Sequence, residues 1–153
     1  MLSEMLHVDC VTLAMDARTK ELALRELAAL FGPAGIEPDE ELIFQVFSDR
    51  EALASTGVGS GVAIPHGRLS SLSRVRLALA LHKGGVDFDA VDGRPVHIFV
   101  AVLAPTGEAS KHLKVLARIS RLLRDASIRE RLLGASTKEA AREVLVAEDA
   151  LLG

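Results

Sequence analysis

Apolar positions recur every three to four residues in the first and last thirds of the chain, a spacing typical of helices with one buried face. The predicted helices cover residues 19–31, about 38 to 50 or beyond, 110 to about 124, about 128–133 and 136 to about 146. The positions predicted to be buried are Leu24, Leu27, Leu30 and Phe31 in the first helix, Leu42, Ile43, Val46 and Phe47 in the second, and Leu113, Leu116, Ala117, Ser120 and Leu123 in the third. Between the two helical regions the pattern changes to nearly continuous apolar segments.

Capping and helix-breaking residues mark the ends of these helices. Thr19 has the side chain of an N-cap, and Ser136-Thr137-Lys138-Glu139 matches a capping box. Gly32-Pro33 is expected to end the first helix, and Pro38 suits the first turn of the second. These residues set the expected helix boundaries.

The apolar segments 62–64, 75–81 and 95–104 are predicted to be strands. Pro65 is expected to end the first of them, and Gly84-Gly85 to form a turn after the second. The two longer segments are apolar at almost every position, which indicates strands covered on both faces. The order of helices, strands and helices predicts an α/β domain with one sheet between helical layers.

Composition narrows the class of protein. Hydrophobic residues make up 49% of the 153 residues, which excludes wholesale disorder. The formal charge of −3 and the absence of Trp and Tyr argue against nucleic-acid binding, which needs a basic face and stacking side chains. No apolar run approaches the ~20 residues of a spanning helix, the N-terminus lacks the basic region of a signal peptide, and the single cysteine suits a reducing compartment. We therefore expect one cytoplasmic domain over residues 1–153, without membrane insertion.

Few patterns in the chain carry chemistry. The five histidines are too widely spaced for a His-x-x-x-His pair, so neither a metal site nor a cofactor is expected. The glycine-rich segment 57–61 lacks the lysine of a Walker A motif and the spacing of a dinucleotide fingerprint. The remaining candidate is His66, which stands between Pro65 and Gly67. Pro65 restricts the backbone before the ring, and Gly67 allows another chain to approach closely. The pattern indicates an imidazole presented to a partner, and a partly buried structural histidine remains the alternative.

The segment 55–68, Ser-Thr-Gly-Val-Gly-Ser-Gly-Val-Ala-Ile-Pro-His-Gly-Arg, resembles the phosphorylation-site signature of a known family. That family is the fructose/mannitol-type IIA proteins of the bacterial phosphoenolpyruvate-dependent phosphotransferase system. Further segments that resemble it, in order, are 48–51, 88–96 and 111–113. The likeness covers roughly residues 2–149, the expected core of the domain, and residues 2–10 are similar to the stand-alone nitrogen-regulatory members. The resemblance implies that family's fold, in which a central mixed β-sheet is flanked by helices.

The resemblance also implies roles for individual residues. His66 matches the phosphoryl acceptor, with the phosphate expected on Nε2, the tele position. His112 matches the family's second histidine and is expected to donate a hydrogen bond to a phosphoryl oxygen, while the guanidinium of Arg50 suits phosphate oxygens. Supporting residues expected to orient the ring or offer donors are Ser55, Thr56, Gly57 and Gly67.

The implied activity is that of a phosphotransferase component, a protein-histidine phosphoryl carrier rather than a small-molecule enzyme. It would accept phosphate from an HPr-like phosphocarrier protein and act on target proteins in nitrogen or metabolic regulation. One alternative is a IIA subunit that passes phosphate to the IIB domain of a fructose or mannitol transporter, and another is a non-catalytic docking module. The surface around the acceptor is expected to be apolar, although Arg68, Arg74 and Arg76 argue against a simple acidic rim for a basic carrier.

Overall fold

Helices cover both faces of a central sheet in the computed structural model, which describes residues 1–32 and 40–153. The predicted helix end at Pro33 and helix start at Pro38 lie outside the described residues. The helices within them are α1 Lys20–Leu30, α2 Glu40–Glu51, α3 Ala109–Leu123, α4 Ala126–Leu133 and α5 Lys138–Leu152. The strands are β1 Leu6–Thr12, β2 Gly57–Gly59, β3 Val62–Ala63, β4 His66–Leu69, β5 Arg76–Val86 and β6 Val96–Pro105, and a 3₁₀ turn, Leu2–Glu4, precedes β1.

The sheet is mixed, as predicted. Its strands follow the order β1-β5-β6-β3-β2, and β4 also pairs with β6. The central pair β5 and β6 is antiparallel, whereas β1 runs parallel to β5, and β3 and β4 run parallel to β6. The predicted α/β fold with a mixed sheet flanked by helices is therefore confirmed.

β3 and β4 lie along β6 in one unbroken register. Val62 pairs with Ile98 and His66 with Val102, so the offset is the same on both sides of Pro65. The carbonyl of Pro65 still accepts a hydrogen bond from the amide of Val102 at 2.9 Å. β3 ends at Ala63, before Pro65, as predicted, and β4 resumes the same register directly after the proline, at His66. This continuation carries the chain on through His66.

Two cores lie on opposite faces of the sheet. Side chains that alternate along β5 and β6 contribute to both, as strand geometry requires. Those packed against α1 and α2 include Ala78, Ala80, Phe99, Ala101 and Leu103. Those packed against α3, α4 and α5 include Leu77, Leu79, Ile98, Val100 and Val102. The prediction that both long strands are covered on two faces is confirmed.

The first helix agrees with its prediction, and the second agrees in part. The Thr19 hydroxyl accepts a hydrogen bond from the amide of Leu22 at 3.2 Å and so caps α1. The predicted apolar positions of α1 lie in or against the core beside it. In α2 the buried side chains include Phe44, while Leu42 is exposed. The face of α2 that packs on the sheet is rotated from the predicted one, so Phe44 is buried in place of Leu42.

The predicted buried face of α3 is wrong. Its buried residues are His112, Val115, Ile119, Leu122 and Leu123, and of the five predicted positions only Leu123 is among them. Leu113 is 65% exposed. The helix has apolar residues on two adjacent faces, and packing against the sheet selects one that includes a histidine, which an apolar pattern cannot reveal. This rotation buries the ring of His112.

One strand and several boundaries also differ from prediction. β1 was not predicted, because its polar residues interrupt the apolar pattern. Gly84-Gly85 lies inside β5 rather than ending it, at a register shift in which Gly85 has φ of +78°. The N-cap of α5 is Thr137, whose hydroxyl accepts from the amide of Ala140, and the helix continues to Leu152 instead of ending near 146. In the described part of the chain, no helix has the length and apolar character needed to cross a membrane.

Candidate functional site

The site forms where the outer edge of β4 meets the end of α2 and the start of α3. Residues two apart on a strand face the same side, so His66 and Arg68 share one face of β4. Gly67 faces the other side, toward α2. Within the described residues β4 pairs only with β6, and its outer edge is therefore open to side chains from both helical layers.

The ring of His66 is half-buried and its two nitrogens have different partners. Nδ1 lies 2.7 Å from the carbonyl oxygen of Ile64, and Nε2 lies 3.2 Å from Nε of Arg50. A carbonyl can only accept and a guanidinium can only donate, so Nδ1 carries the proton and Nε2 presents its lone pair. A neutral imidazole held in this way is a nucleophile at Nε2.

Arg50 lies in the last turn of α2, beside the acceptor ring. Its Nε donates to His66, and its Nη1 donates to the carbonyl of Ala54 at 2.9 Å. The second bond ties the guanidinium to the loop that follows the helix. The group is therefore fixed next to the nucleophilic nitrogen, where its fork can contact phosphate oxygens.

His112 lies in the first turn of α3 and is 4% exposed. Its ring centroid is 5.4 Å from that of His66, with the ring planes at 81°. Nδ1 of His112 accepts a hydrogen bond from Nε of Arg68 at 3.3 Å. Nε2 is buried and has no hydrogen-bond partner in the described part of the chain. The structure thus brings His66, His112 and Arg50 together, as the sequence predicted.

Both rings titrate below their ordinary range. Burial lowers the pKa of His66 from 6.5, and the positive charges of Arg50 and Arg68 lower it further, against the opposing effects of the Ile64 carbonyl and Glu51. Burial, followed by the charges of His66 and Arg68, lowers the pKa of His112 to about 4. Both imidazoles are therefore neutral near pH 7, the form that nucleophilic attack requires.

Ser55 and Thr56 hold the loop that leads to β2. The Ser55 hydroxyl donates to the carbonyl of Phe88 at 2.9 Å and accepts from the amide of Gly57 at 3.0 Å. The amide and the hydroxyl of Thr56 both bind the carboxylate of Glu51. These hydrogen bonds run to the loop and to α2 rather than to the ring of His66. The expected supporting residues therefore shape the loop beside the site.

The two supporting glycines allow close packing within the chain. A Cβ added to Gly67 would lie 2.1 Å from Cγ1 of Val46, and one added to Gly57 would lie 2.8 Å from Ala90. The chain that approaches Gly67 is therefore the protein's own helix α2, and not a partner as the sequence suggested. Gly67 lets α2 lie against β4, and this contact places Arg50 beside His66.

Two charged residues of the site were not predicted. Arg68 lies two residues after His66 on the same face of β4, and recognising 66–69 as a strand would have placed the two together. Glu51 is 9% exposed and also pairs with Lys20 at 2.9 Å. Its buried carboxylate has no signature in the sequence, because the partners that bury it come from α1 and from the loop after α2.

Of the other three histidines, two contact backbone carbonyl groups and one is exposed. Nε2 of His82 lies 2.7 Å from the carbonyl oxygen of Ala17, and Nδ1 of His97 lies 2.9 Å from the carbonyl oxygen of His82. His7 is exposed on β1. Over residues 1–32 and 40–153, no group of three or more His, Cys, Asp or Glu side chains could hold a metal ion. The nitrogen-bearing groups that the site brings together are the imidazoles of His66 and His112 and the guanidinium groups of Arg50 and Arg68.

Comparison with known proteins agrees with this geometry. Residues 4–147 match the family model described as "Phosphoenolpyruvate-dependent sugar phosphotransferase system, EIIA 2". A nitrogen regulatory protein from Bradyrhizobium diazoefficiens is 38% identical over 94% of this chain and 94% of its own. A fructose-specific EIIA component of a phosphotransferase system from Haloferax volcanii is 33% identical, with 94% of each chain covered.

Solved structures agree as well. The crystal structure of nitrogen regulatory protein IIA-Ntr from Neisseria meningitidis superposes with a TM-score of 0.88 at 33% identity, covering 94% of this chain and 98% of the other. IIA mannitol from Escherichia coli gives a TM-score of 0.76 at 25% identity, covering 91% and 97%. The chain therefore belongs to the EIIA 2 family of the phosphoenolpyruvate-dependent phosphotransferase system, as a phosphotransferase component with the fold of the nitrogen-regulatory and mannitol IIA proteins.

Proposed function

We propose that this chain is a single-domain phosphoryl carrier that accepts phosphate on Nε2 of His66 and acts in nitrogen regulation. The observation that carries the proposal is the hydrogen-bond pattern of His66, in which Nδ1 lies against the Ile64 carbonyl and Nε2 beside Nε of Arg50, so that Nε2 presents its lone pair. Relatives described as nitrogen regulatory proteins, at 38% identity over 94% of this chain and over 84% of it, support the regulatory role.

The transfer step moves one phosphoryl group between two imidazoles. The Nε2 lone pair of His66 forms a new N–P bond while the N–P bond of the donor's phosphohistidine breaks, and the electron pair of that bond returns to the donor ring. The proton on Nδ1 stays on His66. The hydrogen bond from Nδ1 to the Ile64 carbonyl, 2.7 Å long, stabilises the positive charge that the ring acquires. No external acid or base is needed.

Cationic and neutral donors surround the position of the transferred group. In phosphoryl transfer the charge is spread over three equatorial oxygens, so catalysis depends mainly on positioning and electrostatics. As Nε2 of His66 bonds to phosphorus, the Nε–H of Arg50 loses its acceptor and can turn to a phosphoryl oxygen. Nε2 of His112 has no partner in the described part of the unphosphorylated chain. A phosphoryl oxygen would satisfy it.

The proposed donor is an HPr-like phosphocarrier protein, and the exposed surface near the site suits a protein partner. Leu53, just beyond α2, is 81% exposed, and Leu113, next to His112, is 65% exposed. Apolar side chains near the site can be buried when a protein docks there. Because phosphoenolpyruvate is a metabolite of the cytoplasm, the proposed role also places the chain there.

The test is phosphorylation by phosphoenolpyruvate in the presence of the first enzyme of the system and the carrier protein. We expect the wild type to gain one acid-labile phosphate, located by mass spectrometry on His66, and His66→Ala to gain none. His7→Ala, a substitution of an exposed histidine, serves as the matched control and should behave as the wild type. Phosphate on His66→Ala would contradict the assignment. A folded wild type that gains no phosphate would instead support a docking module.

A second candidate is delivery of phosphate to a sugar transporter. It is favoured by the fructose-specific EIIA relative at 33% identity and by the fold shared with IIAMtl, which has been solved in complex with phosphorylated IIBMtl. The two roles separate when the phosphorylated chain is mixed with a IIB domain of the fructose or mannitol type. Rapid loss of label to the IIB domain would support uptake, and retention of the label supports regulation.

A further inference from the structure

Arg68 contacts the second histidine of the site rather than the first. Its Nε lies 3.3 Å from Nδ1 of His112. A guanidinium is always protonated and has no acceptor, so the nitrogen that it contacts must present a lone pair. The single proton of the neutral His112 ring is then on Nε2.

The protonated nitrogen of His112 is the one without a partner. Nε2 is buried and makes no hydrogen bond to any described residue. A buried donor left unpaired costs free energy, so such a group calls for an explanation. The adjacent ring is that of His66, with centroids 5.4 Å apart. A phosphoryl oxygen bound to His66 would supply the acceptor that Nε2 of His112 lacks.

We infer that Arg68 is a positioning residue, which fixes His112 as the Nε2–H tautomer so that this nitrogen donates to a phosphoryl oxygen on His66. The inference rests on the proposed function. It assigns Arg68 a role that acts through another side chain, since its observed hydrogen bond is to His112. Without that bond, the neutral ring of His112 could place its proton on Nδ1, and Nε2 could no longer donate.

The charges around His112 favour its neutral form. The neighbours of His112 on β4 are His66 and Arg68. On α2 the nearby charges are Arg50 and Glu51, which act on His66. On α3 itself, Lys111 pairs with Glu108 at 3.7 Å. Burial and the positive charge of Arg68 both disfavour an imidazolium, as a proton on His66 would. The ring therefore stays neutral at the pH of transfer, and its tautomer decides what it can do.

The test reads the tautomer of His112 directly in the unphosphorylated protein. Long-range ¹H–¹⁵N correlation spectra at pH 7 distinguish a pyridine-like nitrogen from a pyrrole-like one. In the wild type, and in Arg74→Met as a matched exposed control, we expect a pyridine-like Nδ1 and a pyrrole-like Nε2. Arg68→Met keeps the aliphatic stem but removes the donor, and should give a mixture of both tautomers. Arg68→Lys should keep the wild-type pattern, because an ammonium also donates to Nδ1.

The rate of phosphoryl transfer to His66 is the second readout. We expect it to fall roughly tenfold in Arg68→Met, the size of one lost hydrogen bond, and to recover in Arg68→Lys together with the tautomer. A proton on Nδ1 of His112 in the wild type, or an unchanged tautomer in Arg68→Met, would overturn the inference. So would a rate that recovers in Arg68→Lys without the tautomer. These spectra need no phosphate, so failure of His66 to accept phosphate would be a separate result.

Discussion

The nearest neighbours of the two site histidines favour opposite tautomers of the neutral ring. The Ile64 carbonyl requires a proton on Nδ1 of His66, and the Arg68 guanidinium requires a lone pair on Nδ1 of His112. The Nε2 atoms are therefore unlike. Nε2 of His66 presents a lone pair that can attack phosphorus, and Nε2 of His112 carries a proton that it can donate to an oxygen. Two residues of one type thus supply a nucleophile and a hydrogen-bond donor, each set by a bond on the far side of its ring.

Replacing Arg50 by Gln should raise the pKa of His66. Burial is the largest cause of its lowered pKa, but the charge of Arg50 acts in the same direction and is lost in Arg50→Gln. The shift is measured by an NMR titration of the His66 ring, with Arg74→Gln as the control for loss of a positive charge elsewhere. A pKa that stays the same or falls would contradict the electrostatic argument. We also expect slower phosphoryl transfer with an unchanged circular dichroism spectrum.

At this scale the sequence singled out three residues of the site and missed two charged ones, Arg68 and Glu51. The resemblance singled out His66, His112 and Arg50, and the structure brings them together. Arg68 was given no role because no strand was predicted after Pro65, and without a strand the side chains of residues 66 and 68 have no fixed relation. Once the strand is known, its alternation places Arg68 beside His66 without further information.

The packing of α2 on β4 depends on the absence of a side chain at Gly67. A Cβ there would lie 2.1 Å from Cγ1 of Val46. We expect Gly67→Ala to lower the free energy of unfolding by about 1–3 kcal/mol, as overpacking does, and to slow transfer by displacing Arg50. Urea unfolding measures the first effect. Gly107→Ala is the matched control, since a Cβ there meets nothing within 4 Å.

The double variant Val46→Ala/Gly67→Ala tests the cause of that loss. If the clash with Val46 is responsible, the two substitutions together should cost less than the sum of their separate effects. Strictly additive costs would show that the loss in Gly67→Ala has a cause other than the contact with Val46.

Elements with a strong pattern were predictable, and those set by tertiary contacts were not. The apolar segments of β5 and β6 and the N-cap of α1 could be recognised from the sequence. β1 could not, since His7 and Asp9 interrupt its apolar residues. The rotated face of α3 could not either, because its burial follows from the sheet that it covers.

At the scale of the molecule, buried polar contacts join parts of the chain that are distant in sequence. Asp149 on α5 has 0% exposure and accepts hydrogen bonds from the amide of Leu2 and from Arg118 on α3. Arg142 donates to the carbonyl of Leu6 at 2.7 Å. These bonds fix the N-terminus and α3 to α5. The orientation of α3, and hence the position of His112, is therefore set by residues far from the site.

The lowered pKa values of the site should also make the whole fold sensitive to acid. In the unfolded chain a histidine titrates near 6.5, whereas in the folded protein the pKa of His112 is about 4 and that of His66 is lowered too. Between these values the unfolded state binds more protons, so the stability that is present above pH 6.5 is lost as the pH falls toward 4. The slope per histidine is at most about 1.4 kcal/mol per pH unit.

His112→Gln removes one of the two groups, and its unfolding free energy in urea, measured from pH 7 to pH 4.5, should fall less steeply than that of the wild type. Carboxylates titrate in both proteins, so only the difference between them is used, with His7→Gln expected to follow the wild type. Equal slopes in His112→Gln and the wild type would mean that His112 accepts a proton in the fold as easily as in water, and that its neutral form at the site is not enforced by burial.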